Sequence, residues 1–278
     1  MRRRGYGIPY QGSKGAHAGR IYRCIAQRHP HALTLVDPFC GGWAVAHAFT
    51  RAGWTVHASD IDPYTVALLT AALAGQLGDW PSRWVDRSLF EACARDPEST
   101  GLALWEAGWV RCVWSFGNDA RTYLYGRRIT AAKQAEHDLV TGSGVVRADR
   151  SRLRHRGQRT RLQHLENSER IAGLAGAGQP PVVADYRDTL TRHATRGTVV
   201  YLDPPYAGTK PYPGAPTFDA AAFWGHAERA ADAGAHVYVS EYAAPPNWRS
   251  VLTFTRLNQM ATNNTGRATE RLYVPDRP

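Results

Sequence analysis

The chain has 278 residues, 43% of them hydrophobic, a formal charge of +10 and a pI near 9.7. That length supports one large α/β domain or a domain with an insertion, and the charge favours a polyanionic partner, most simply nucleic acid. No run of about 18 apolar residues occurs, so no transmembrane span is expected.

Met1-Arg2-Arg3-Arg4-Gly5 is basic but has no apolar stretch behind it, so it does not read as a signal peptide, and a cytoplasmic location is expected. Of the 34 basic residues 31 are Arg. That bias alone also follows from a GC-rich coding sequence. Cys24, Cys40, Cys93 and Cys112 form no CxxC pair and no His/Cys cluster, so reduced thiols and no metal are expected.

Ile8 to Lys14 read as a short loop containing Gly12, Ser13 and Lys14, before a helix predicted over about Ala18 to Arg28. Such a loop lets backbone N–H groups face a ligand, and Lys14 suits a carboxylate or phosphate. On spacing alone, an ordinary N-terminal arm is the simpler reading. Ala32 to Val36 predicts a buried strand. It ends in Asp37-Pro38-Phe39-Cys40-Gly41-Gly42-Trp43, with a helix over about Ala44 to Arg51. Strand, glycine turn and helix open a mononucleotide-binding unit. Both GxGxxG and the GxxxxGK[ST] loop are missing, so a small nucleoside-like cofactor fits better than a dinucleotide or a triphosphate. A second strand, Thr55 to Ser59, ends in Asp60-Ile61-Asp62-Pro63. Asp60 is placed to take both ribose hydroxyls and Ile61 to pack on adenine. Asp62 before Pro63 is able to cap a helix over Tyr64 to Ala74.

From about Gly78 to Asn167 no clean strand and helix alternation is visible, and Trp80, Trp84, Trp105, Trp109 and Trp114 crowd together. Arg147, Arg150, Arg152, Arg154, Arg156, Arg159 and Arg161 follow. They read either as a solvated charged face or as a phosphate-binding face with some capacity to read guanine edges, and the net charge favours the second.

The α/β pattern then resumes with strands predicted at Pro181 to Ala184, before Asp185-Tyr186, and at Thr198 to Leu202. The latter runs into Asp203-Pro204-Pro205-Tyr206. An acid at a strand's carboxyl end sits where open α/β sheets bind ligands, the prolines stiffen the loop, and Tyr206 offers a flat face for stacking. The combination suits a flat heterocycle bearing an exocyclic amine. By itself it reads equally well as a proline-rich turn with a capping acid. A helix over about Ala220 to Ala233, a strand at His236 to Val239 and a terminal strand pair at Val251 to Leu257 and Glu270 to Val274 complete the chain.

The motifs in this order resemble those of the D12 class of DNA N6-adenine methyltransferases, in particular its phage-like members. The resemblance rests on Tyr10-Gln11-Gly12-Ser13-Lys14, Asp37-Pro38-Phe39-Cys40-Gly41-Gly42, Ser59-Asp60-Ile61-Asp62, Ser115-Phe116-Gly117-Asn118, Tyr123-Leu124-Tyr125-Gly126, Asp185-Tyr186-Arg187-Asp188, Asp203-Pro204-Pro205-Tyr206 and Ser240-Glu241-Tyr242-Ala243-Ala244-Pro245. It implies a Rossmann-like S-adenosylmethionine-dependent sheet. The catalytic domain would comprise residues 1–77 and 167–278, split by a mostly helical target-recognition segment at 78–166.

The same resemblance implies S-adenosylmethionine as cofactor. Tyr10 and Lys14 would lie near its methionine part, and Asp37, Pro38, Phe39, Gly41 and Gly42 would line its loop. Asp60 and Ile61 would meet its nucleoside, and Asp185 its N6, with Tyr186 nearby. Trp43, where smaller residues are common, is expected to narrow the pocket. Asp203, Pro204, Pro205 and Tyr206 would clamp an adenine flipped out of double-stranded DNA. The nearest rivals are N4-cytosine methylation, which usually carries Ser in place of Asp203, and a catalytically idle DNA-binding protein on the same fold. The resemblance is compatible with a cognate restriction endonuclease or none, and with a monomer or weak dimer.

Overall fold

The structure, a computed structural model, describes residues 5–142, 162–205, 218–257 and 267–277. Tyr206 and the seven arginines from Arg147 to Arg161 lie outside the described residues.

Two compact units are present. The first comprises Met1–Gly7, Ser13–Val66 and Ala177–Pro278. Its elements are α1 (Ala18–Arg28), β1 (Thr34–Asp37), α2 (Ala44–Thr50), β2 (Thr55–Asp60), the start of α3 (Pro63–Leu73), β3 (Val182–Val183), α8 (Tyr186–His193), β4 (Val199–Leu202), α9 (Ala220–Asp232), β5 (His236–Glu241), β6 (Trp248–Leu257) and β7 (Arg267–Pro275). The remaining helices lie in the second unit. The strands form one seven-stranded sheet in the order β3-β2-β1-β4-β5-β7-β6. All pairs are parallel except those made by β7, which is antiparallel to both β5 and β6. This is a Rossmann-like sheet, with the chain crossing back from β3 at one edge to β4 beside β1.

The middles of the central strands, Leu35-Val36, Val199-Val200-Tyr201-Leu202 and Val237-Tyr238-Val239, are apolar and buried because helices cover both faces, as parallel sheets require. Alternate residues point opposite ways. Leu35, Val199, Tyr201 and Tyr238 join α1 and α2 in one core cluster. Val36, Val200, Leu202, Val237 and Val239 join α8 and α9 in the other. Strand boundaries run slightly later than the sequence predicts at β1, which takes in Asp37, and at β5, which extends to Glu241. Both extensions carry an acid into the carboxyl end of a strand.

The second unit comprises Ile8–Gly12 and Ala67–Gly176. It contains the rest of α3 with α4 (Arg87–Arg95), α5 (Leu104–Val113), α6 (Thr130–Gly142) and α7 (Gln163–Ala172). The crowded aromatics form its interior. Trp80, Trp109, Trp114, Tyr123 and Tyr125 are buried. The Tyr125 hydroxyl meets His164 Nδ1 at 2.7 Å, and His164 Nε2 meets His137 Nδ1 at 2.9 Å. Burial holds the His164 imidazole well below its ordinary pKa, to about 3, helped by the neighbouring His137 and Lys133. No helix among the described residues is long and apolar enough to cross a membrane.

Gly7 fixes the N-terminal segment against the glycine turn that follows β1. Its φ is +67°, and an added Cβ would overlap the Gly42 carbonyl oxygen and lie 2.8 Å from the Ala44 nitrogen. Its own N–H donates to His47 Nδ1 at 3.1 Å. Left-handed backbone alone costs a side-chain-bearing residue about 1–2 kcal/mol, and the overlap with main chain adds to it. Gly7→Ala is expected to lose at least about 2 kcal/mol in urea unfolding; an unchanged midpoint would contradict this packing.

Candidate active site

The carboxyl ends of the parallel strands gather acids from five places in the chain. Asp37 ends β1, Asp60 ends β2, Asp203 follows β4, Glu241 ends β5, and Glu270 enters from β7. Because β2, β1, β4, β5 and β7 are consecutive in the sheet, these acids lie along one edge. That edge is where open α/β sheets bind ligands.

Lys14 holds this edge together. Its ammonium donates to both oxygens of Asp203 at 2.7 Å and pairs with Glu270 Oε1 at 3.1 Å. The exposures are 4% for Lys14, 1% for Glu270 and 19% for Asp203. The backbone just before α1 presents it, since the Lys14 carbonyl accepts from the N–H groups of His17 and Ala18. Among the described groups, Lys14 therefore pairs with acids of the chain itself.

Burial raises the Asp37 carboxyl, and the negative charges of Asp203 and Asp60 add to this. Its Oδ1 is buried with no hydrogen-bond partner among the described residues. A buried acceptor left unpaired is costly, so this oxygen is a natural seat for a donor from a ligand. Asp60 is lifted to about 6 by burial, even though backbone N–H groups of Asp62, Gly41 and Ile61 oppose the shift. Its Oδ2 accepts from Gly41 N–H at 2.8 Å and its Oδ1 from Asp62 N–H at 3.0 Å. Asp60 thus ties the glycine turn after β1 to the end of β2. Asp62 caps α3, accepting from Tyr64 N–H at 3.1 Å and from the Thr65 hydroxyl at 2.7 Å.

The other sequence candidates divide. Phe39 and Tyr186 come together, their rings stacked at 5.0 Å and 25°, with Phe223 against both. Pro38, Gly41, Gly42 and Pro204 are buried, Pro205 is half-buried, and Ile61 is 45% exposed. Asp185 caps α8 and accepts from the Arg187 N–H, Nε and Nη2 at 2.8 to 2.9 Å, which pulls its pKa down. Tyr10 belongs to the second compact unit and the other cofactor candidates to the first.

Trp43 corrects an expectation. It does not line a pocket but is 1% exposed in the core, with φ of 61° and its ring stacked on His47. Gly178 makes room for it, since a Cβ there would lie 3.1 Å from the Trp43 ring.

Two residues of the edge were not among the candidates. Glu270 had a signal in the alternation of β7, where Glu270 and Leu272 share the buried face. Glu241 stands inside the Ser240-Glu241-Tyr242 motif, where nothing local marks it as part of the edge. Among the described residues no group of His, Cys, Asp and Glu is arranged to hold a metal.

The sheet defines a Rossmann-like α/β domain with its candidate site at the strands' carboxyl edge. Residues 10–87 match the model of the family described as D12 class N6 adenine-specific DNA methyltransferase. No curated protein sequence matches the chain. Among solved structures, an inferred methylase from Haemophilus influenzae is similar at a TM-score of 0.33 and 9% identity, over 93% of this chain and 88% of that one. An inferred methyltransferase from Escherichia coli is similar at 0.34 and 12%, over 98% and 92%. The fold assignment rests on the sheet itself.

Burial pushes the Glu241 carboxyl up to about 7, and the charges of Asp203 and Glu270 add to the shift. An unfolded Glu titrates near ~4.3, so the folded chain holds the extra proton between these values and loses stability as pH rises through that window. Glu241→Gln keeps the oxygen that accepts from Tyr242 N–H at 2.7 Å and removes the charge. It is expected to be more stable than wild type at pH 8, with the gain fading toward pH 4. A variant equally or less stable at pH 8 would contradict the buried, crowded carboxyl.

Proposed function

We propose that the chain transfers a methyl group from S-adenosylmethionine to N6 of an adenine flipped out of double-stranded DNA. The observation that carries this reading is Asp203, an acid at the end of β4 followed by two prolines, with a buried ammonium bonded to both its oxygens. Paired N–H donors of one positive group already occupy the place where the amine of adenine would donate. Lys14 must then yield at least one oxygen when the base arrives, keeping its hold on Glu270.

The residues present fit the cofactor. S-adenosylmethionine supplies a methyl on a sulfonium, and a cation is welcome beside the acids of this edge. The unpaired Asp37 Oδ1 suits a donor such as an ammonium. The exposed Ile61 suits the flat face of a nucleobase, as does the stacked pair of Phe39 and Tyr186. Asp60, already bonded to two backbone donors, keeps acceptor capacity for a ribose hydroxyl. Asp185 would have to share its oxygens between Arg187 and an incoming amine.

The amine of adenine is a poor nucleophile because its lone pair is delocalised into the ring. Asp203 and the Pro204 carbonyl accepting its two protons would move N6 toward tetrahedral geometry and stabilise the charge that develops there. The stiff Pro204-Pro205 backbone holds that carbonyl in place, and in-line positioning supplies the other large contribution. Tyr206 is proposed to stack on the base. Target recognition is proposed for the inserted segment, with the Arg147 to Arg161 cluster on DNA phosphates, in keeping with the charge of +10.

The test is Asp203→Ala, assayed for cofactor binding by calorimetry and for incorporation of labelled methyl into duplex DNA. Binding is expected to persist, while turnover falls at least about 100-fold. Unchanged turnover would sink the reading.

A further inference from the structure

A concave site lies at the other end of the first unit's strands, away from the acidic edge. It is a cleft of about 350 Å³, within the range of small-ligand pockets. Arg28 and His29 enter it from the end of α1, His236 and Tyr238 from β5, Arg249 from β6 and Arg277 from the chain beyond β7. His236 is in register with Val199, the first residue of β4, whereas Asp203 follows that strand's last residue. At about 3.3 Å per residue the two sites stand on the order of 13 Å apart along the strand.

Three guanidinium groups thus line one cleft, with no acid among its walls. Arg249 pairs with Asp276 at 3.3 Å and Arg277 with Asp232 at 2.7 Å, but both pairs are largely exposed. Exposed pairs of this kind contribute little and exchange readily, so both guanidinium groups are able to turn to a better anion. Arg28 donates to the Cys24 carbonyl and sulfur, neither of them a full charge.

Deeper in, the His29 and His236 rings stack at 3.8 Å, and His29 Nε2 meets the Tyr238 hydroxyl at 2.7 Å. Both imidazoles are held in the neutral form, His29 with a pKa near 4, by burial first and then, for His29, by the positive groups around it. Neutral imidazoles and a phenol add donors without adding repulsion. Alanine, valine and proline complete the walls and leave room for the carbon part of a ligand.

We propose that this cleft binds a small phosphomonoester. The phosphate dianion would be gripped by Arg28, Arg249 and Arg277, and its organic group would lie against the His29–His236 stack. Guanidinium groups match phosphate oxygens in geometry as well as charge, and three of them suit a dianion better than a carboxylate. The site is distinct from the acidic edge and does not depend on the methyltransferase reading.

The test is calorimetric titration of the full chain with phenyl phosphate and with inorganic phosphate, neither of which resembles the proposed cofactor. Saturable binding of both is expected, tighter for phenyl phosphate. Arg249→Ala and Arg28→Ala should each weaken it at least tenfold, while Arg192→Ala, outside the cleft, should not. Shifts of the His29 and His236 ring protons on titration would locate the ligand. No saturable binding, binding untouched by both cleft variants, or cleft variants impaired only toward duplex DNA would each overturn the proposal. Inorganic phosphate bound as tightly as phenyl phosphate would overturn the role given to the imidazole stack.

Discussion

The first unit depends on one buried cation. Lys14, from the segment before α1, reaches the end of β4, 189 residues away in sequence, and the inner face of β7 at once. Glu270 is 1% exposed, and Asp37 and Glu241 stand along the same edge. An edge crowded with carboxylates is stable only if protons or cations offset the charge, and breaking a buried pair leaves the remaining ion uncompensated at a cost of about 3–5 kcal/mol. The edge uses both remedies. Lys14 answers Asp203 and Glu270 directly, while Asp37, Asp60 and Glu241 hold protons more tightly than ordinary carboxylates.

The same arrangement links fold to chemistry. A site poor in cations and rich in acceptors favours positively charged or N–H-bearing ligands, and a sulfonium cofactor and an exocyclic amine are both of that kind. The glycine turn after β1 is fixed by Asp60 through the Gly41 N–H and by Cys40 N–H on the Ser59 carbonyl. The floor of the site is thereby set by main chain. Beneath the sheet the paired core clusters on its two faces hold the strands in register, and that register puts the acids on one line.

Much of this was legible in the sequence because it is local. The central strands announce themselves as apolar runs such as Val199-Val200-Tyr201-Leu202, and α1 was bounded correctly by its own pattern. Asp62 as a helix cap followed from Pro63 behind it. What was not legible is set by distance in the chain. Nothing near Lys14 says that its partners are Asp203 and Glu270, because only the antiparallel β7 places Glu270 there. Trp43 misled for the same reason. Its place in the core needs a left-handed backbone at its own position and the space left by Gly178, far along the chain. The tryptophan cluster of the second unit was visible as composition, but α5 and α6 lack the clean apolar periodicity that would have bounded them, whereas α4 and α7 carry it.

The central claim is that Asp203 and its neighbours act on the amine of adenine in DNA. Its most direct test is nucleoside mass spectrometry of duplex DNA incubated with the protein and S-adenosylmethionine carrying an isotopically labelled methyl. The account predicts the label in N6-methyladenine. Label in N4-methylcytosine, or DNA without label under conditions where the cofactor binds, would contradict it.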